Sequence, residues 1–124
     1  MVANFKLQNH ALNHRLNEEF KRYLGKFDDE TRSRFMMLYD LVHESTTQTI
    51  KEKLWAQLPS FYVGDHYVRI IPFKDHLNIE AKAILSHKES LNEFTVTPKG
   101  MLQIKHTQRV PREELIKIIQ ESLE

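Results

Sequence analysis

Pairs and runs of histidines and carboxylates are the first groups in this chain that could do chemistry. His10 and His14 stand four residues apart, so on a helix both imidazoles lie on one face, a geometry that can hold a metal ion. Glu18 continues that face. The spacing lacks the Glu of the His-Glu-x-x-His zinc motif, and no third ligand is identifiable. We therefore expect adventitious binding of nickel or zinc there rather than a native metal site.

Catalytic motifs are missing from the rest of the sequence. There is no cysteine, which excludes disulfides, thiolate nucleophiles and zinc or iron–sulfur sites built on Cys. The serines stand in no nucleophile-elbow motif, and the three glycines are isolated rather than grouped in a phosphate-binding loop. We therefore predict a protein that binds or carries something, and that is not an enzyme.

Length and composition are those of one small globular domain. The 124 residues are 40% hydrophobic and 28% charged, and the formal net charge is +1. Such a small net charge does not attract nucleic acid or an acidic membrane, so we regard nucleic acid as an unfavoured partner. Residues 1–10 contain no apolar signal-peptide core, and no apolar run approaches the roughly 18 residues of a membrane helix. We expect a cytoplasmic protein.

Three segments have helical spacing of their apolar residues. Residues 10–25 carry such a stripe and end at Gly25. Asp28 is a good N-cap for a second helix that runs to about His43. Pro111 begins a third helix near the end of the chain.

Between the second and third helices the apolar period changes to two, which predicts strands. A strand runs from Thr49 and ends at Pro59, and a β-hairpin with a Gly64-Asp65 turn spans residues 61–73. Further strands cover residues 76–81 and 101–106, and a Ser86-x-x-Glu89 capping box opens a short helix between them. The connections are short, so neighbouring strands should be antiparallel. These patterns predict an α+β fold, an antiparallel sheet of about five strands with helices packed on one face.

Strand alternation sorts the sheet into two faces. One face is apolar and should meet the helices: Leu54, Ala56, Leu58, Val68, Ile70, Leu77, Ile79, Leu102 and Ile104. The other face combines aromatic and basic side chains, a composition typical of binding surfaces. From this open face we select six candidate ligand-binding residues: Lys53, Trp55, Tyr67, Arg69, His76 and Lys105. The alternative is an ordinary solvated face on which Lys and Arg stems cover the rings.

Residues 52–61, Glu-Lys-Leu-Trp-Ala-Gln-Leu-Pro-Ser-Phe, resemble the motif of the YdhG-like family of small bacterial proteins. Residues 68–77, with the Phe-Lys-x-His turn, are similar to its second hairpin. Residues 100–104 are similar to its Lys-Gly strand, and residues 110–119 to its terminal helix. The resemblance implies a frataxin-like α-β-α fold over residues 26–124, preceded by an N-terminal helical extension over residues 1–25.

The same resemblance implies a function in iron handling. Some members of the family are described as intracellular iron chaperones, and carboxylate oxygens suit iron. The residues that would hold iron here are Asp28, Asp29 and Glu30, although helix capping and complementation of the helix dipole also explain acids at a helix start. The first strand carries Lys51 and Lys53 where frataxin-type iron handling uses acids.

Two functions therefore remain open from the sequence. The first is a non-enzymatic intracellular carrier of the YdhG-like family that delivers iron. The second is a binding module that uses the basic and aromatic sheet face for an anionic small ligand, a protein or a nucleic acid, without metal. The stripe of residues 10–25 could close over the sheet or pair with a second copy, so the chain is expected to be a monomer or a homodimer.

Overall fold

The computed structural model describes residues 16–124, and these form an α+β fold around one antiparallel sheet. The α+β class predicted from the sequence is confirmed, but the sheet has six strands rather than about five. In chain order the elements are α1 (Glu18–Leu24), α2 (Asp29–Glu44), β1 (Lys51–Trp55), β2 (Leu58–Val63), β3 (His66–Pro72), β4 (His76–Ala81), a 3₁₀ helix (Leu85–Leu91), β5 (Thr95–Val96), β6 (Met101–Lys105) and α3 (Arg112–Leu123).

The strands lie side by side in the order β1-β2-β3-β4-β6-β5, and every neighbouring pair is antiparallel. The sixth strand is β5, a two-residue strand that pairs with β6 at one edge. β1 forms the other edge. The predicted Gly64-Asp65 turn joins β2 to β3, and Gly64 adopts a φ of +61° that glycine allows without strain.

The predicted first strand is wrong in one respect, because it is a hairpin. Ala56 and Gln57 form a two-residue turn with φ of +49° and +66°, the pattern of a type I′ turn. The pattern was missed because this turn lacks the Asn-Gly or Asp-Gly signature. Leu58 consequently lies opposite Trp55 on the open face, and neither Ala56 nor Gln57 belongs to either face of the sheet.

Pro59 lies inside β2 rather than at the end of a strand. Across a two-residue turn the flanking pair is hydrogen-bonded, and the pairs then alternate along the ladder. When the pairs are counted from the Gly64-Asp65 turn, Pro59 falls at a position that should be hydrogen-bonded to β3. Proline has no N–H to donate to such a bond. The β2–β3 pairing accordingly stops at Ser60.

Polar side chains cap the N-termini of α1 and α2. α1 starts after Asn17, whose side chain accepts a hydrogen bond from the Phe20 N–H, and Gly25 follows its last turn. The helix predicted over residues 10–25 is thus confirmed only from Glu18, and residues 10–15 lie outside the described part of the chain. Asp28 caps α2 as predicted, by accepting a hydrogen bond from the Thr31 N–H.

The capping box predicted at Ser86 and Glu89 is wrong. The Ser86 hydroxyl donates to the carbonyl oxygen of Ala83, and the short helix there is a 3₁₀ helix without a side-chain cap. No helix within residues 16–124 has the length and apolar character needed to cross a membrane.

The core lies between the inner face of the sheet and the three α-helices. Phe20 of α1, Phe35 of α2 and Phe61 of β2 are fully buried there, with ring centroids 5.5 Å apart for Phe20 and Phe61. Leu115 of α3 is equally buried in the same cluster. The inner-face assignments Val68, Ile70, Leu77, Ile79, Leu102 and Ile104 are confirmed, because all six are buried in this cluster.

Asp40 of α2 is a half-buried carboxyl whose Oδ1 has no hydrogen-bond partner within residues 16–124. Burial raises the pKa of Asp40, the charge of Glu44 adds to the rise, and His43 opposes it. A carboxyl with a raised folded-state pKa favours folding below its unfolded-state pKa, and this contribution is lost as pH rises through the folded-state pKa.

We therefore expect Asp40→Asn to be more stable than the wild type at neutral pH, with the difference shrinking as the pH falls to about 4. Urea unfolding at both pH values measures this change. Glu89→Gln is the matched control, because Glu89 is exposed and its charge should affect stability little. A stability difference for Asp40→Asn that grows on acidification would contradict the assignment.

Candidate binding face

Arg69 occupies the centre of the sheet face that points away from the helices, yet only 5% of the residue is exposed. Its guanidinium carbon lies 4.1 Å from the centroid of the Trp55 ring and 3.8 Å from that of the Tyr67 ring. Both contacts are within cation–π range. The Arg69 guanidinium therefore lies against both rings.

The polar contacts of Arg69 hold it in place. Nη1 lies 3.3 Å from the Glu80 carboxylate, Nε donates to the Ser60 hydroxyl at 2.9 Å, and Nη2 donates to the Tyr62 hydroxyl at 3.4 Å. Burial by itself lowers the pKa of Arg69, but hydrogen bonds to Tyr62 and Tyr67 and the charge of Glu80 outweigh burial and raise it. Arg69 is therefore a fixed, fully charged cation.

Cross-strand register explains why these residues meet. Ser60, Arg69 and Glu80 form one row across three strands, with Lys53 beside Ser60 on β1. Side chains two residues apart on a strand share a face. Trp55 on β1 and Tyr67 on β3 therefore stand on the same face as this row.

Trp55 and the lysines of β1 are the accessible part of this site. Trp55 is 51% exposed although its ring rests against Arg69. The Nζ atom of Lys53 lies 4.9 Å from the centroid of the Tyr62 ring. Neither Lys51 nor Lys53 has an anionic partner in the described part of the chain. Since Glu80 balances Arg69, the unbalanced positive charge of this region is that of the two lysines.

The structure brings four of the six predicted ligand-binding residues together and separates the other two. Lys53, Trp55, Tyr67 and Arg69 form the cluster just described. His76 on β4 and Lys105 on β6 face each other. His76 is four residues from Glu80 along β4, a separation of roughly 13 Å from the cluster.

His76 is engaged locally at that far end of the face. Its ring stacks on Phe73 with centroids 4.5 Å apart, and its Nδ1 lies 2.7 Å from a carboxylate oxygen of Asp75. This contact lowers the pKa of Asp75. The predicted six-residue site is thus two sites, and only the one around Trp55 has aromatic rings placed by a buried cation.

The three predicted iron ligands lie at the start of α2. Asp28 is committed to the N-cap, and its hydrogen bond from the Thr31 N–H lowers its pKa. Asp29 forms an ion pair with Arg32, and Glu30 is exposed. Within residues 16–124, no group of three His, Asp or Glu side chains is placed to hold a metal ion.

Sequence reasoning missed a polar cluster on the inner side of β1. The Glu52 carboxylate accepts hydrogen bonds from Asn17 Nδ2 at 3.1 Å and from the Tyr39 hydroxyl at 2.6 Å, and it lies 2.6 Å from His43 Nε2. The signal was a single acid, Glu52, at an inward position between the apolar residues Ile50 and Leu54. This cluster ties α1 and α2 to the edge strand.

No protein-family model, curated protein or solved structure matches this chain. Similarity to the YdhG-like family therefore stays a prediction from the motifs.

Proposed function

We propose that this chain is a non-enzymatic binding protein whose ligand docks on the open sheet face around Trp55. The observation that carries the proposal is the Trp55 ring, which is half exposed and yet held in place by the buried guanidinium of Arg69. Large aromatic rings with few rotatable bonds are frequent energetic centres of binding surfaces. A ring that is already positioned loses little conformational entropy when a ligand covers it.

The charges of this face favour an anionic ligand, either a partner protein or a small molecule. Lys51 and Lys53 are exposed beside Trp55, and neither pairs with an anion in the part of the chain that the structure describes. Arg69 and Glu80 neutralise each other, so they orient the site rather than react. Binding without catalysis is therefore the function that these residues support best.

Trp55 is the only tryptophan of the chain, so its fluorescence reports on this face alone. We expect polyglutamate, used as a model acidic ligand, to shift the Trp55 emission in a saturable and salt-sensitive way. With labelled polyglutamate, Trp55→Ala should lose about 2 kcal/mol of binding free energy.

The matched control for this experiment is Phe73→Ala, which removes another exposed aromatic ring at the far end of the same face. Its affinity should stay close to that of the wild type. Equal losses for the two variants, or no emission change with any anionic ligand, would contradict the proposed site.

Iron carriage within a frataxin-like fold is the second candidate. This candidate rests on the motif resemblance, and two features support it. The helices α2 and α3 precede and follow the strands in the chain and pack against each other. Glu30 is exposed beside Asp29. Anaerobic titration with ferrous iron should then broaden the NMR signals of residues 28–30 before those of the exposed Glu113. Unchanged signals at residues 28–30 would argue against it.

A further inference from the structure

Within residues 16–124, β1 is an edge strand, and its outward backbone groups have no hydrogen-bond partner. Trp55 and Leu58 flank a two-residue turn and so form a hydrogen-bonded pair. Hydrogen-bonded and non-hydrogen-bonded pairs alternate along an antiparallel ladder, so Lys53 and Lys51 also form hydrogen-bonded pairs with β2. The N–H and C=O groups of Glu52 and Leu54 therefore point away from β2. No backbone or side-chain group in the described part of the chain bonds to them.

We propose that this edge accepts an extended acidic segment of a partner protein as an additional antiparallel strand. The inference rests on the proposed function, since the open face beside β1 supplies the side-chain contacts. Strand addition of this kind derives affinity from main-chain hydrogen bonds and specificity from alternate side chains.

The side chains of β1 define what the added strand must carry. Residues of that strand opposite Lys51, Lys53 and Trp55 would project over the open face. Lys51 and Lys53 are exposed and have no anionic partner among residues 16–124, which favours acidic residues opposite them. The intervening residues would lie beside Glu52 and Leu54 at the rim of the core, where Leu54 packs against the buried cluster.

A second copy of this chain fits the edge less well than an acidic segment. Antiparallel pairing of β1 with β1 centred on Lys53 would place two Lys53 side chains directly opposite each other, which is destabilising. Lysine on an edge strand also protects against unspecific pairing. The opposite edge of the sheet offers only the two residues of β5, so β1 is the longer template.

The test uses a labelled, end-blocked peptide in which Val and Glu alternate, read by fluorescence anisotropy with the full chain. We expect saturable binding that weakens by about tenfold in the variant with both Lys51→Glu and Lys53→Glu. A peptide in which Val and Lys alternate should not bind. Equal binding of the acidic and basic peptides would overturn the charge argument.

N-methylated peptides separate strand addition from simple charge attraction. In antiparallel addition the Val residues face Glu52 and Leu54, so their N–H groups donate to β1 while those of the Glu residues point outward. N-methylation of the Val residues should abolish binding, whereas N-methylation of the Glu residues should leave it nearly unchanged. Any other pattern overturns the inference.

The outcomes of this test are distinct from failure of the proposed function. If Trp55 emission responds to polyglutamate but N-methylation of Val has no effect, the open face binds anions and the edge-strand inference fails alone. If neither polyglutamate nor the alternating peptide changes the emission or the anisotropy, both proposals fail.

Discussion

Replacing Phe20 by Ala is expected to lower the free energy of unfolding by about 3–5 kcal/mol. Phe20 belongs to the short helix α1, yet it is fully buried, and its ring makes edge contacts with Phe35 at 6.2 Å and Phe61 at 5.5 Å. The substitution leaves a cavity between α1, α2 and β2. Urea unfolding followed by circular dichroism measures the loss.

This experiment also tests whether the end of the N-terminal segment folds with the sheet. If α1 belongs to the same cooperative unit, the midpoint should fall with an unchanged denaturant dependence. The matched control is Glu19→Ala, which changes an exposed neighbour on the same helix and should stay within about 0.5 kcal/mol of the wild type. An unchanged midpoint for Phe20→Ala would mean that residues 18–24 add nothing to the stability of the sheet.

Replacing Arg69 by Met is expected to lower the free energy of unfolding by about 2–3 kcal/mol. Methionine keeps an apolar stem under the rings, but it removes both cation–π contacts and the hydrogen bond to Ser60. It also leaves the partly buried Glu80 carboxylate without its ion-pair partner. The Trp55 ring loses its support, so acrylamide quenching of its fluorescence should increase.

Two further variants show which interactions of Arg69 cause these changes. Glu80→Gln in the Arg69→Met background should recover part of the lost stability, because it removes the unpaired charge. Arg69→Lys should not restore Trp55 shielding, since an ammonium lacks the planar fork that stacks between two rings. Full shielding of Trp55 in Arg69→Lys would show that charge alone positions the ring.

The amino-acid sequence by itself determined the fold class, the N-cap of α2 and most of the sheet faces. Asp28 caps α2 and the Gly64-Asp65 turn joins β2 to β3 because local backbone chemistry dictates both. The inward positions of β3, β4 and β6 were likewise predictable, because strict alternation identifies them without knowledge of their neighbours. Basic and aromatic residues at the outward strand positions marked Trp55, Tyr67 and Arg69 as one group.

Only the tertiary structure decided how those residues act together. Cross-strand register stacks Arg69 between two rings and gives it Glu80 as a partner, so the residue that looked like an exposed cation is a buried support. The same register separates His76 and Lys105 from the cluster. The turn at Ala56 and Gln57 has no local signature, and it alone makes β1 a separate edge strand. Pairing across strands is a long-range property, and a pattern along the chain does not contain it.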